Sequence, residues 1–447
     1  MTISRRSLLL GSLAGMALAA PAKAASMSAR GLDATQFGLN PGAPDDQSAR
    51  LQRAIDEAAK TRAPLWLAPG VYRAGGVTLP AGAQLHGVRG ATRLVFTQGP
   101  SLLAAEHAET ISLSGLTLDG GGIPLSEQRG LVYLLDATKL RIRDCDILRA
   151  GGNALTLEQC DGAVARCLID GAADTALFAN DSRGLVIAAN AIRGSGNGGI
   201  RVWQSEKRRD GSIIADNRIE ETAARGGGTG QNGNAINVYR AANVIVRNNV
   251  IRKAAFSAIR GNAASDMQVL GNNCAELDEV AIYAEFDFEG AVIADNVVDG
   301  AALGVAVTNF NVGGRLAVVQ GNIIRNLAAH RPQGGADFAG VGIGVEADTA
   351  VTGNMIENAP FMGISVGAGR YLRNVTVAGN VVRAVGIGVG VSVVDGAGGA
   401  AVTGNMFSAV KRGAIVGMEF STPVTGDLAL AGAERYPQLK IAGNQVS

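Results

Sequence analysis

One phrase returns along this chain: an apolar pair, two small or polar residues, an Asn and a second apolar pair. It reads VIAANAI at 186–192, SIIADNRI at 212–219, VIVRNNVI at 244–251, AVIADNVV at 291–298, VVQGNII at 318–324, AVTGNMI at 350–356, VTVAGNVV at 375–382 and AVTGNMF at 401–407. Self-similarity at such a period constrains the fold more than any local propensity does. With Asn190, Asn217, Asn249, Asn273, Asn296, Asn322, Asn354, Asn380 and Asn405 as the register, the steps are 27, 32, 24, 23, 26, 32, 26 and 25 residues. The unit is constant and the steps are not, so length changes fall in loops. A second phrase, small-Ile-x-Val, precedes most of these Asn residues, at 199–202, 235–238, 342–345, 363–366 and 386–389. Each repeat therefore carries two or three short strands separated by turns.

A repeat of this kind cannot bury its apolar side chains alone. Coils stacked at the strand spacing of about 4.8 Å bury them in one continuous core. Alternation sets the facing: in Ile200-Arg201-Val202-Trp203 the Ile and Val point inward, the Arg and Trp outward. A helical solenoid would need apolar spacings of three and four, which 62 Gly and the β-branched phrases argue against. The recurring Asn is expected at a turn, in the left-handed region, bonded to its neighbour one coil away. The pattern resembles the right-handed parallel β-helix of pectate lyases, polygalacturonases, alginate epimerases and phage tailspikes. The expected fold is all-β, a single right-handed parallel β-helix of about 12 coils with an N-terminal capping helix.

The chain opens with Arg5-Arg6, an apolar stretch to Ala20 and Ala22-Lys23-Ala24. The apolar run is too short for a stable anchor. Twin Arg and an Ala-x-Ala site look like a twin-arginine export signal cleaved after Ala24, giving a periplasmic or secreted protein with no stable membrane anchor and the twin-arginine machinery as its export partner. Cleavage removes Arg5, Arg6 and Lys23, which takes the formal charge from +1 to −2 (+1 − 3). A near-neutral chain has no electrostatic footprint for nucleic acid. Four Cys make no disulfide framework at this length, and Cys145 and Cys167, one coil apart, are read as stacked buried residues, with a disulfide between them as the alternative. His86, His107 and His330 are too scattered for a metal site to be argued.

Asp45-Asp46-Gln47-Ser48, followed by Leu51, Ala54, Ile55 and Ala58, reads as a capped amphipathic helix. It would cover the open end of the solenoid, whose bare edge invites strand pairing. The chain divides into a signal (1–24), an N-terminal cap (25–84), coils (85–420) and a C-terminal cap with a last coil (421–447). A twin-arginine signal joined to β-helix repeats of this length resembles a family of twin-arginine-translocated repeat proteins of unknown function, within the pectate-lyase-like β-helix superfamily. That resemblance covers nearly the whole chain and brings no catalytic residues. Asn-Thr-Asp, Gly-His-Gly and Arg-Ile-Lys of polygalacturonases and Asp-Pro-His-Asp of alginate epimerases are absent.

Function on a β-helix sits on an outer face and the loops beside it. One outward column is Phe178, Arg201, Asn237, Arg260, Tyr283, Ala306, Gly344 and Ser365; a second is Asn180, Trp203, Tyr239, Asn262, Glu285, Thr308, Glu346 and Gly367. Substrate-binding candidates are Trp203, Tyr239, Asn237 and Asn262, rings and amides suited to a polysaccharide. In a lyase or epimerase scheme, Arg201 or Arg260 neutralises a uronate and Tyr283, Lys207 or another Arg takes the proton. In a hydrolase scheme Glu285 and Asp287, on one face of an extended segment, act as acid and base or nucleophile. Glu289 extends this acidic row, and its alternative role beside Asp287 is as a Ca²⁺ ligand. The functional expectation is an exported β-helix that binds, and in one reading processes, an envelope or extracellular polysaccharide. The alternative is a non-catalytic envelope scaffold or protein-binding solenoid.

Overall fold

The computed structural model describes residues 31–447 apart from 126–128, 229, 309–314 and 331–337. The export signal at 1–24 lies outside the described residues. The chain forms a single right-handed parallel β-helix of about 13 turns. Successive strands enter three sheets in rotation, with 16, 15 and 15 strands among the described residues. In one coil, Val186–Ala188 belongs to the first sheet, Ala191–Arg193 to the second and Gly198–Arg209 to the third. Stacking starts where Leu32–Asp33 pairs with Leu65–Trp66 and ends at Gln445–Val446. The inward Val, Ile, Leu and Ala of all three sheets merge into one core, the only way that short strands of this composition can leave water.

At the N-terminal end the helix spans Ser48–Lys60 and buries Leu51, Ala54, Ile55 and Ala58, the apolar stripe read from the sequence. Gln47 stands at its N-cap without a side-chain cap bond, and Asp46, one residue earlier, accepts the Ser48 N–H at 2.9 Å. No helix among the described residues is long and apolar enough to cross a membrane.

The asparagines sit at the turn between the first and second sheets. Each Oδ1 accepts the backbone N–H and the Nδ2–H of the equivalent Asn one coil earlier, as between Asn272 and Asn296 at 2.9 and 3.0 Å. Each Nδ2 also donates to a carbonyl of the preceding coil, Val269 in the case of Asn296. The ladder runs unbroken from the Cys167 N–H, which Asn190 accepts, to Asn444.

Two details differ from expectation. The ladder member is Asn272, buried, and not its exposed neighbour Asn273. The left-handed residue is the one before each ladder Asn, for example Asp216, Asn248, Gly271, Asp295 and Gly321, at φ between 56° and 66°. The Asn itself turns inward, which is what lets its amide replace the backbone partners that a turn would leave unpaired. Cys145 and Cys167 are free, buried thiols, as are Cys160 and Cys274. Burial pushes Cys160 and Cys274 up to about 12, leaving them inert.

Candidate functional site

The third sheet carries the outward columns in the register read from the sequence. Phe178, Arg201, Asn237, Arg260, Tyr283, Ala306, Gly344 and Ser365 pair in turn, as do Asn180, Trp203, Tyr239, Asn262, Glu285 and Thr308. What alternation could not show is that part of this outer face is covered. The strands Gly198–Arg209 and Asn234–Ala242 pair from Gly198↔Asn234 to Trp203↔Tyr239 and resume at Arg208↔Ala241, so residues 205–207 bulge outward as an arm. Residues 226–228 and 230–234 also fold back over the face, held where Asn197 Oδ1 accepts the Gly226 N–H.

Arg201 lies under this cover. Its Nη2 donates to the Asn197 carbonyl at 3.2 Å and to Asn232 Oδ1 at 2.8 Å, and Asp174 is 3.8 Å away. Burial pulls its pKa down from the usual guanidinium value, with Asp174 opposing. Trp203 packs edge to face between Phe178 and Tyr239, at centroid distances of 5.3 and 5.8 Å. Its Nε1–H donates to Asn237 Oδ1 at 2.9 Å, and the Asn237 amide donates to the Gly230 carbonyl at 3.0 Å. Arg201, Trp203 and Asn237 thus hold the cover in place.

Arg260 and Glu285 form a bidentate pair, with both N–H···O distances 2.6 Å and side chains only 8% and 6% exposed. Asn262 adds a bond to Glu285 at 3.1 Å, and Glu279 lies 3.8 Å from Arg260. Burial opposes the charged form of Arg260, but the Glu285 carboxylate outweighs it and raises the pKa. Tyr283, beneath the Arg260 guanidinium at 5.1 Å, has its phenol pushed up by burial and by Glu285. A phenol so shifted is a poorer base at neutral pH.

The acidic segment 285–289 does not stay extended. Its strand ends at Glu285, and Phe286 and Asp287 take left-handed φ of 45° and 48°. Asp287 turns to the arm, pairs with Lys207, and its carbonyl accepts from Lys207 Nζ at 2.8 Å. Glu289 starts the next strand and pairs with Arg315 at 2.6 Å. Glu285 and Asp287 therefore do not share a face, and Asp287 and Glu289 do not converge on a cation. Among the described residues no three His, Cys, Asp or Glu side chains gather to hold a metal ion.

What does assemble is a polar groove of about 530 Å³ between the arm and the sheet, lined by Glu206, Lys207, Tyr239, Arg240, Asn262, Ala263, Phe286 and Asp287. Arg240 lies over the Tyr239 ring at 4.9 Å and ties the arm down through the Ser205 carbonyl at 2.7 Å. The groove unites Lys207, Tyr239, Asn262 and Asp287 of the expected residues and excludes Arg201, Trp203, Asn237, Arg260, Tyr283 and Glu285. Arg240 was missed because a left-handed φ of 55° turns it out of the strand alternation.

Residues 222–434 match the family model of NosD, a periplasmic copper-binding protein. The match spans somewhat under half of the chain. No curated protein sequence matches. Solved structures similar to the chain include PfbA, a surface adhesin of Streptococcus pneumoniae, at 13% identity over 85% of this chain and 90% of that one, with a TM-score of 0.44. Others are the catalytic unit of a GH87 alpha-1,3-glucanase from Streptomyces thermodiastaticus (16% identity, 95% and 70% covered, TM-score 0.45) and the A-module of a mannuronan C-5 epimerase from Azotobacter vinelandii (16%, 73% and 96%, 0.45). These likenesses are too distant to carry chemistry across. Within the matched stretch Cys274 is fully buried with an inert thiol, and no three His, Cys, Asp or Glu side chains gather among the described residues.

Proposed function

We propose that this is an exported, periplasmic β-helix protein that binds a neutral polysaccharide in the polar groove beside Tyr239. The observation that carries the proposal is the lining itself: two aromatic rings, Tyr239 and Phe286, one amide, two cations and two carboxylates in a trough that crosses successive coils. Alternating donors and acceptors suit vicinal hydroxyls, and the Tyr239 ring suits a sugar face. Lys207 and Arg240 are balanced by Glu206 and Asp287, so the groove has no net charge with which to favour a polyuronate. That balance shifts the ligand away from the acidic glycans of the lyase and epimerase scheme. Binding is favoured over turnover because the carboxylates of the hydrolase scheme face apart, and Arg260 and Glu285 are committed to each other. The NosD match supports a periplasmic location, and the twin-arginine route rests on the sequence of residues 1–24 alone.

A panel of immobilised neutral glucans and polyuronates tests this. Neutral glucans should bind the chain, and Tyr239→Ala should lose about ten-fold in affinity through loss of ring contact. Preferential binding of polyuronates, or neutral-glucan binding indifferent to Tyr239→Ala, would overturn the assignment.

A further inference from the structure

Beyond the polar groove the same outer face changes character. Val280, Leu303, Val341, Met362 and Ile387 belong to an apolar cluster that is separate from the solenoid core. In the neighbouring column, where earlier coils carry Arg201, Asn237 and Arg260, the side chains shrink to Ala306, Gly344 and Ser365. The result is a cavity of about 610 Å³ with Ala306, Gly344 and Ser365 along it and Leu303, Phe338 and Phe420 beside them. Phe338 and Leu303 flank Gly344, lying 3.7 and 3.9 Å from where a Cβ would stand.

The volume is that of a small-molecule site, and the shape is long and narrow. From Tyr283 through Ala306 and Gly344 to Ser365 is three coil steps, or about 14 Å. The cavity lies on the same column as the polar groove, two coil steps on: Asn262 lines the groove, Thr308 lines the cavity, and the buried Glu285 stands between them. The charge balance of the polar groove on the same column favours an uncharged head over an anionic one such as that of a fatty acid.

We propose that this cavity binds the unbranched aliphatic chain of an uncharged amphiphile whose sugar head occupies the polar groove, a glycolipid in chemical class. The head assignment rests on the glycan reading above, while the tail site stands on the cavity.

The test titrates maltose, n-octyl β-maltoside and n-dodecyl β-maltoside, below their micelle-forming concentrations, into the chain and into Gly344→Leu. Gly344 has ordinary φ and room for a Cβ, so Leu fills the cavity without backbone strain. Wild type should bind the dodecyl compound at least ten-fold more tightly than the octyl one, since each buried methylene adds to affinity. Gly344→Leu should remove that difference and leave the maltose affinity unchanged. Phe338→Ala, which opens one wall, should weaken the dodecyl compound at least three-fold and serves if Gly344→Leu does not fold. Equal affinity for both detergents in wild type, or a chain-length dependence that survives in both variants, would overturn the proposal. Dodecyl binding that is sensitive to Gly344→Leu, with no binding of maltose, would keep the tail site and remove the glycan reading.

Discussion

Asn296→Ala is expected to destabilise the protein by about 3–5 kcal/mol, whereas Asn273→Ala should change stability by less than about 0.5 kcal/mol. The Asn296 amide accepts from the Asn272 N–H and Nδ2–H and donates to the Val269 carbonyl and Asn322 Oδ1, all within 3.0 Å and away from water. Alanine leaves a backbone N–H and a backbone carbonyl buried without partners, and each orphan costs about 1–3 kcal/mol. Asn273, one residue on, is exposed and holds no place in the ladder. Because coils interact only with their neighbours, the loss should broaden the urea transition as well as lower its midpoint. Equal effects of the two substitutions would show that the ladder does not hold the turn.

The second large effect concerns Arg260 and Glu285. Glu285→Ala should cost about 3–5 kcal/mol, since it leaves a buried guanidinium without its bidentate partner. The double variant Arg260→Leu/Glu285→Leu should recover more than half of that loss, because removing both charges removes the desolvation problem as well. Urea unfolding of the wild type and the two variants measures both numbers. A Glu285→Ala variant as stable as wild type would return Glu285 to the list of residues kept for chemistry, in place of support for the groove.

The fold was legible because its signals are periodic. Alternation in Ile200-Arg201-Val202-Trp203 fixes facing, and the same phrase one coil on fixes register, so both outward columns could be written down residue by residue. The Asn register slipped by one at Gly271-Asn272-Asn273, where two consecutive asparagines fit the phrase. The Gly-Asn order at 321–322, 353–354, 379–380 and 404–405 was the signal that selects Asn272, because that Gly supplies the left-handed residue before the ladder.

The site was less legible for a physical reason. Outward does not mean exposed: Arg201 and Asn237 point away from the core, yet the fold-back that brings Gly230 and Asn232 onto them leaves 7% and 4% exposure. Bulges and fold-backs are tertiary choices with no period. Likewise, left-handed φ at Phe286 and Asp287, neither of them glycine, leaves no mark in the sequence, so the acidic run could only be read as extended. The apolar cavity was written in plain view as Ala306, Gly344 and Ser365, a column of small residues whose meaning depends on Phe338 and Phe420 standing beside it.

Backbone hydrogen exchange, with and without a saturating neutral oligoglucan, tests groove binding most directly. Protection is expected at 204–209, 239–242, 262–263 and 286–287, where the arm meets the sheet. Protection confined to other coils, or none at saturation, would contradict it.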